Sequence, residues 1–149
     1  MSDNRKEHEA IVMDHVRHPR NCRKMADADR SKVAFNPLCG DRYEIFLKLD
    51  PEGRVSDVAF QGDGCAISKA ATSMMTEAVA GKSLEEAQRL FDAYLAMVTS
   101  DPDAPVDEAS LGGLAVLAGV RQFPIRIKCA TLGWRGALAA LKDEAGEVS

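Results

Sequence analysis

Apolar and polar positions change rhythm along the chain, and each rhythm predicts an element. From Glu7 to Arg17, Ala10, Ile11, Val12, Met13 and Val16 stand against Glu7, Glu9, Asp14 and Arg17, an approximate helical stripe that Pro19 closes. Arg20 to Phe35 is polar and charged without a clear period and reads as a loop leading to Asn36-Pro37. Arg42 to Leu49 then alternates, with Tyr43, Ile45, Leu47 and Leu49 set against Glu44, Phe46 and Lys48. Asp50-Pro51-Glu52-Gly53 supplies turn chemistry before Val55 to Phe60, so the two runs predict an antiparallel hairpin.

Beyond the hairpin the chain turns helical. Gly62-Asp63-Gly64 breaks the second strand, and Ala66 to Ala80 follows as an Ala- and Met-rich helix stopped by Gly81. Ser83 with Glu86 forms a capping box for a helix running to about Met97, whose apolar face carries Leu84, Ala87, Leu90, Phe91 and Tyr94. Thr99 to Pro105 is a Pro- and Asp-rich break, and Leu111 to Val120 reads as a short apolar helix; together they look like an insertion at about 99–120. Ile127 to Leu141 makes a final helix with Cys129 in its first turn. Strands precede helices and no repeat is present. The expected fold is α+β, a small antiparallel sheet covered by helices, in one domain over residues 1–149.

Charge narrows the class. A net charge of −4 and a pI near 5.4 give no general attraction to nucleic acid or anionic membranes. No segment approaches the roughly 20 apolar residues that span a bilayer, and no opening run has signal-peptide form. A cytoplasmic protein without nucleic-acid or membrane partners is expected. In that reducing setting, Cys22, Cys39, Cys65 and Cys129 read as ligands or nucleophiles rather than disulfide partners.

Three of these thiols sit in distinctive contexts. Asn36-Pro37-Leu38-Cys39-Gly40-Asp41 places a thiol and a carboxylate two positions apart on a turn bounded by Pro and Gly, so both can point at one centre. Cys65 follows Gly62-Asp63-Gly64 at a helix start, where free N–H groups and the positive helix end favour a thiolate. Cys129 is expected to gain the same help, reinforced by Arg126 and Lys128. Three thiolates and one carboxylate would complete a tetrahedral zinc shell, and an iron cluster could use the same set. Spacing by itself matches no compact zinc finger and leaves ligation open.

A resemblance adds to this reading. Asn36 to Asp41, Gly62 to Ser68 with Ser73-Met74-Met75, and Phe123 to Leu132 resemble the SufU branch of the IscU/NifU-like scaffold family, as do Asp14-His15 and Pro19-Arg20-Asn21. The likeness runs from about Glu7 to Leu141. Lys128 stands where IscU-type members carry histidine, and the 99–120 insertion likewise points to SufU. What the resemblance implies is an α+β scaffold fold with one Zn²⁺ on Cys39, Asp41, Cys65 and Cys129, and a zinc-dependent sulfurtransferase role in iron–sulfur cluster assembly. It also implies a SufS-type, pyridoxal-phosphate-dependent cysteine desulfurase as partner, downstream iron–sulfur assembly proteins, and Cys39 as the persulfide acceptor. Docking of the desulfurase is expected to supply a replacement ligand and free Cys39, with Arg126 near the exchange.

Other residues carry plainer readings. Cys22 fits no ligand motif, His8 and His15 share a solvated or partner-facing helix face, Met74 and Met75 are packing material, and Asp63 is a turn former. The nearest alternative function is a scaffold on which an iron–sulfur cluster is transiently assembled and released. A purely structural zinc site normally lacks a carboxylate, and a cysteine hydrolase needs a histidine near its thiol, whereas all three histidines lie in the first helix.

Overall fold

A computed structural model describes residues 3–149 of the chain. Helix α1 (Asp3–Arg17) leads to strands β1 (Arg30–Asn36), β2 (Asp41–Leu49) and β3 (Val55–Asp63). Helices α2 (Ala66–Val79), α3 (Leu84–Val98), α4 (Glu108–Leu111) and α5 (Ile127–Leu141) follow, with 3₁₀ turns over Gly112–Gln122 and Pro124–Arg126. The strands form one antiparallel sheet in the order β1-β2-β3. The α+β class read from the sequence therefore holds.

The β2–β3 hairpin is as predicted, but the sheet has a third strand where the sequence suggested a loop. Arg30 to Asn36 pairs with Leu47 to Asp41 along its whole length. Its inward positions are Lys32, Ala34 and Asn36, all buried, so the apolar-in rule is broken at two of three sites. Lys32 Nζ donates to the carbonyl of Glu144, and Arg30 Nη1 donates to Leu141 O at 2.7 Å, which accounts for these inward and half-buried cations.

One face of the sheet carries the main core. Tyr43, Ile45, Leu47, Val58 and Phe60 pack against α2 and α5, and Trp134 of α5 stacks on Tyr94 of α3 with ring centroids 5.7 Å apart. The opposite face is covered too: Met25 and Ala28, in the segment read as a loop, lie over Phe46 and Ala59. Phe60 N donates to Asn21 O at 3.0 Å, which ties that segment to the β3 edge.

Two further details differ from the sequence reading. His15 is buried, its Nδ1 2.7 Å from Ser73 Oγ and its Nε2 3.7 Å from Glu77 Oε1, so it fastens α1 to α2 instead of facing solvent. The expected helix from Leu111 is a short α-turn followed by a 3₁₀ stretch. Its large buried residues Leu111, Leu114, Leu117 and Val120 recur every third position, the 3₁₀ period. The capping box of α3 is present: Ser83 Oγ accepts from Glu86 N, and Glu86 accepts from Ser83 N. That backbone N–H, together with Arg54, holds the Glu86 carboxyl down to about 2.

Candidate metal centre

Three element ends meet beneath the first hairpin. Residues 37–40 form the β1–β2 loop, closed by a Gly40 N to Asn36 O bond of 2.8 Å, with Gly40 at φ +77°, a conformation that favours glycine. This places Cys39 on an exposed loop tip and Asp41, 1% exposed, at the first residue of β2. Cys65 is the N-cap of α2, its Sγ accepting from Ser68 N at 3.4 Å. Cys129 lies buried in the first turn of α5.

The donor atoms of Cys39, Asp41 and Cys129 all lie within 4.8 Å of one another. Cys39 Sγ is 3.0 Å from Asp41 Oδ2 and 3.7 Å from Cys129 Sγ. Cys65 stands just outside that trio, 3.8 Å from Asp41 Oδ2 through its Sγ. For a tetrahedral zinc with bonds of about 2.3 Å to sulfur and about 2.1 Å to oxygen, sulfur–sulfur edges are about 3.8 Å and sulfur–oxygen edges about 3.6 Å. The Cys39–Cys129 edge matches, and the Cys39–Asp41 edge is short by about 0.6 Å. Cys39, Asp41 and Cys129 fit a single small cation of the borderline-soft kind, with Cys65 at the margin of the same centre.

Asp41 is oriented by the backbone. Its Oδ1 accepts from Cys65 N at 2.8 Å, which leaves Oδ2 turned to the sulfurs. Behind it, Tyr43 Oη and Ser68 Oγ lie 2.7 Å apart, and Ser68 Oγ donates to Cys65 O at 3.0 Å. Burial pushes the Tyr43 hydroxyl up, out of the range in which it ionises, so this pair stays neutral. All three polar atoms converge on Gly64: a Cβ there would lie 2.5 Å from Ser68 Oγ and 2.6 Å from both Asp41 Oδ1 and Tyr43 Oη.

One electrostatic expectation is reversed. Arg126 and Lys128 flank Cys129 in sequence but are exposed, and burial, followed by the neighbouring Cys65 thiol, pushes the Cys129 thiol up. Arg126 lines a cleft of about 980 Å³ with Cys65, Ile67, Val12 and Phe123; among the described residues its side chain bonds to none of the sulfurs. Cys22 is exposed on the β3 edge, away from this cluster. Asn36, Tyr43, Gly64 and Ser68 lie in the runs that the sequence brings forward, but without a role at the site. The signal for Ser68 was its place three residues after an N-cap thiol, where its N–H meets the capping atom.

The fold brings a thiol-carboxylate cluster together that could hold a metal ion, and residues 7–130 match the NifU-like N terminal domain family. The chain belongs to that family, which includes the IscU and SufU iron–sulfur cluster assembly proteins. It is 43% identical over 136 residues to the iron–sulfur cluster assembly scaffold protein IscU of Streptococcus pyogenes serotype M1, covering 91% of this chain and 83% of the relative. It is 39% identical over 137 residues to the zinc-dependent sulfurtransferase SufU of Bacillus subtilis strain 168, covering 91% and 90%. A crystal structure from Fervidobacterium islandicum AW-1, described as an iron–sulfur cluster assembly scaffold for the SUF system, superposes with a TM-score of 0.79 at 30% identity, covering 88% of this chain and 93% of that one. Among the described residues no helix is long and apolar enough to cross a membrane.

Proposed function

We propose that the protein is a zinc-dependent sulfurtransferase that accepts persulfide sulfur on Cys39 from a SufS-type, pyridoxal-phosphate-dependent cysteine desulfurase and passes it to downstream iron–sulfur assembly proteins in the cytoplasm. Cys39, Asp41, Cys65 and Cys129 hold the zinc. When bound, the metal keeps the thiols deprotonated and offsets their clustered charge. The observation that carries the reading is the unequal footing of the donors. Asp41 and Cys129 are buried, Cys65 is fixed as a helix cap, and Cys39 rides an exposed loop tip.

In this reading Cys39 turns outward and its thiolate attacks the outer sulfur of the partner's persulfide. Its new sulfur–sulfur bond forms as the partner's breaks, and the electron pair leaves on the partner's cysteine. Arg126 stands exposed at the adjoining cleft, where its charge can steady the anionic sulfur in transit. The Bacillus subtilis relative, named a zinc-dependent sulfurtransferase, supports the assignment. The test is persulfide acceptance by Cys39→Ala: transfer is expected to be abolished while zinc stays bound more weakly, and transfer at the native rate would refute the role.

A second reading, a scaffold that builds and releases an iron–sulfur cluster, is favoured by the carboxylate among the donors and by relatives named as scaffolds. Protein purified without air separates the two. One equivalent of zinc and no sulfide supports transfer, whereas bound iron with sulfide supports scaffolding.

A further inference from the structure

We infer that the outer edge of β1 is a docking site for an extended acidic segment of a partner protein, laid parallel to β1. Residues 147–149 of the chain itself cover this edge as a strap that the incoming segment displaces. The inference does not depend on Cys39 being the sulfur acceptor.

β1 is an edge strand of the sheet. On its free side Phe35 N donates to Val148 O at 2.9 Å and Val148 N donates to Val33 O at 3.1 Å, so the segment after α5 adds as a parallel bridge opposite Ala34. Side chains alternate there as in any strand. Val148 packs against the main core, whereas Glu147 turns to the other face, its Oε2 3.2 Å from Arg42 Nη2. The surroundings are basic. Arg30 Nε lies 3.9 Å from Asp143 Oδ1, Lys32 Nζ donates to Glu144 O, and the Arg42 guanidinium lies over the Phe35 ring, 5.6 Å from its centroid. The edge thus accepts a definite pattern from its own strap: a carboxylate on the Arg42 side, a β-branched residue on the core side, and backbone that pairs as a strand.

The strap is built to be exchanged. It holds β1 by two backbone bonds, and its ion pair joins side chains that are 55% and 56% exposed, where such pairs contribute little. Ser31, whose backbone the alternation turns to the same free side, is exposed and meets no backbone partner there among the described residues. Bonds from Asp143 N to Ala140 O and from Glu144 N to Ala139 O root the segment on α5, so only the residues beyond Gly146, itself at φ +81°, have to lift. A partner segment that follows β1 from Ser31 gains backbone bonds the strap does not make, and an unpaired strand edge is the template for such an addition. Because the pairing is parallel, the far end of the bound segment points to the 37–40 loop that carries Cys39.

The test is a nitrogen-15 NMR titration of the 149-residue chain with the peptide acetyl-Glu-Val-Glu-Val-Glu, and with the matching lysine peptide as control. Val148→Pro removes the N–H that meets Val33 O, and Val148→Asp removes the apolar anchor, so either variant frees the edge if the other does not fold. Saturable shifts are expected at the Ser31, Val33 and Phe35 amides. They should appear at roughly tenfold lower peptide concentration in the variants than in the native chain, the weight of one or two net backbone bonds. The lysine peptide should leave these amides unmoved. Equal binding by native chain and variants, equal shifts with both peptides, or no shift in a folded variant overturns the inference. So does a doubled mass in light scattering with no peptide bound, which would assign the edge to a second copy of the chain.

Discussion

At the residue scale the site is set by small margins around Gly64. Three polar atoms fill the space a side chain would take, each within 2.6 Å of the position of a Cβ. Gly64→Ala is therefore expected to cost about 1–3 kcal/mol through overpacking and to loosen Asp41 at the same time. Thermal unfolding and metal retention should fall together; a variant with unchanged values for both would remove Gly64 from the account. Ser68→Ala is milder in volume but leaves the buried Tyr43 hydroxyl without its partner, for about 1–3 kcal/mol. The cysteines and Asp41 were legible in the sequence because turn and cap chemistry is local. Their surroundings were not, since Tyr43, Gly64 and Ser68 meet only after β2, β3 and α2 have packed. The same distance explains the Cys129 thiol, which burial in α5, followed by the Cys65 thiol, pushes up.

Elements were read well where one period dominated. The β2 and β3 strands, the capped α3 and the final α5 all announce themselves through side-chain spacing and caps. Strand β1 does not, because Lys32 and Asn36 point inward, one to bond a carbonyl and the other to serve the Cys39 loop. Leu111 to Val120 winds mainly as a 3₁₀ stretch and not as the α-helix its apolar residues suggest, because they recur every third position and Gly112, Gly113 and Gly119 weaken an α-helix there. At this scale α1 is pinned by His15, whose pKa is lowered, first by burial and then by the charge of Arg20, against the raising pull of Glu77 and Asp14. The unfolded chain thus binds this proton more readily than the folded one. Stability from His15 is intact above its ordinary value of 6.5 and declines as pH falls below that, until the folded form is protonated as well. Melting temperature measured from pH 8 down to pH 5 should drop less steeply in His15→Gln than in the native chain; parallel slopes would show that His15 does not couple to folding.

Across the whole molecule, the proposed metal site would link metal to fold, because its donors come from three separate places: the β1–β2 hairpin, the start of α2 and the start of α5. A cation bound there ties the sheet to both core helices and stabilises only the folded chain. Chelation is expected to lower the melting temperature, and restored zinc to raise it by an amount that grows with free metal; an unchanged melting temperature would mean the donors do not bind as one site. Tyr94 Oη, which donates to Ala130 O at 2.8 Å beside Cys129, makes α3 part of the same support.

The most direct measurement of the central claim is mass spectrometry of the zinc-loaded chain after incubation with its cysteine desulfurase and cysteine, with each thiol mapped separately. One added sulfur atom is expected on Cys39 and none on Cys65 or Cys129. Sulfur carried by Cys65 or Cys129 while Cys39 stays unmodified, or iron and sulfide gathered with no persulfide on the chain, would contradict it.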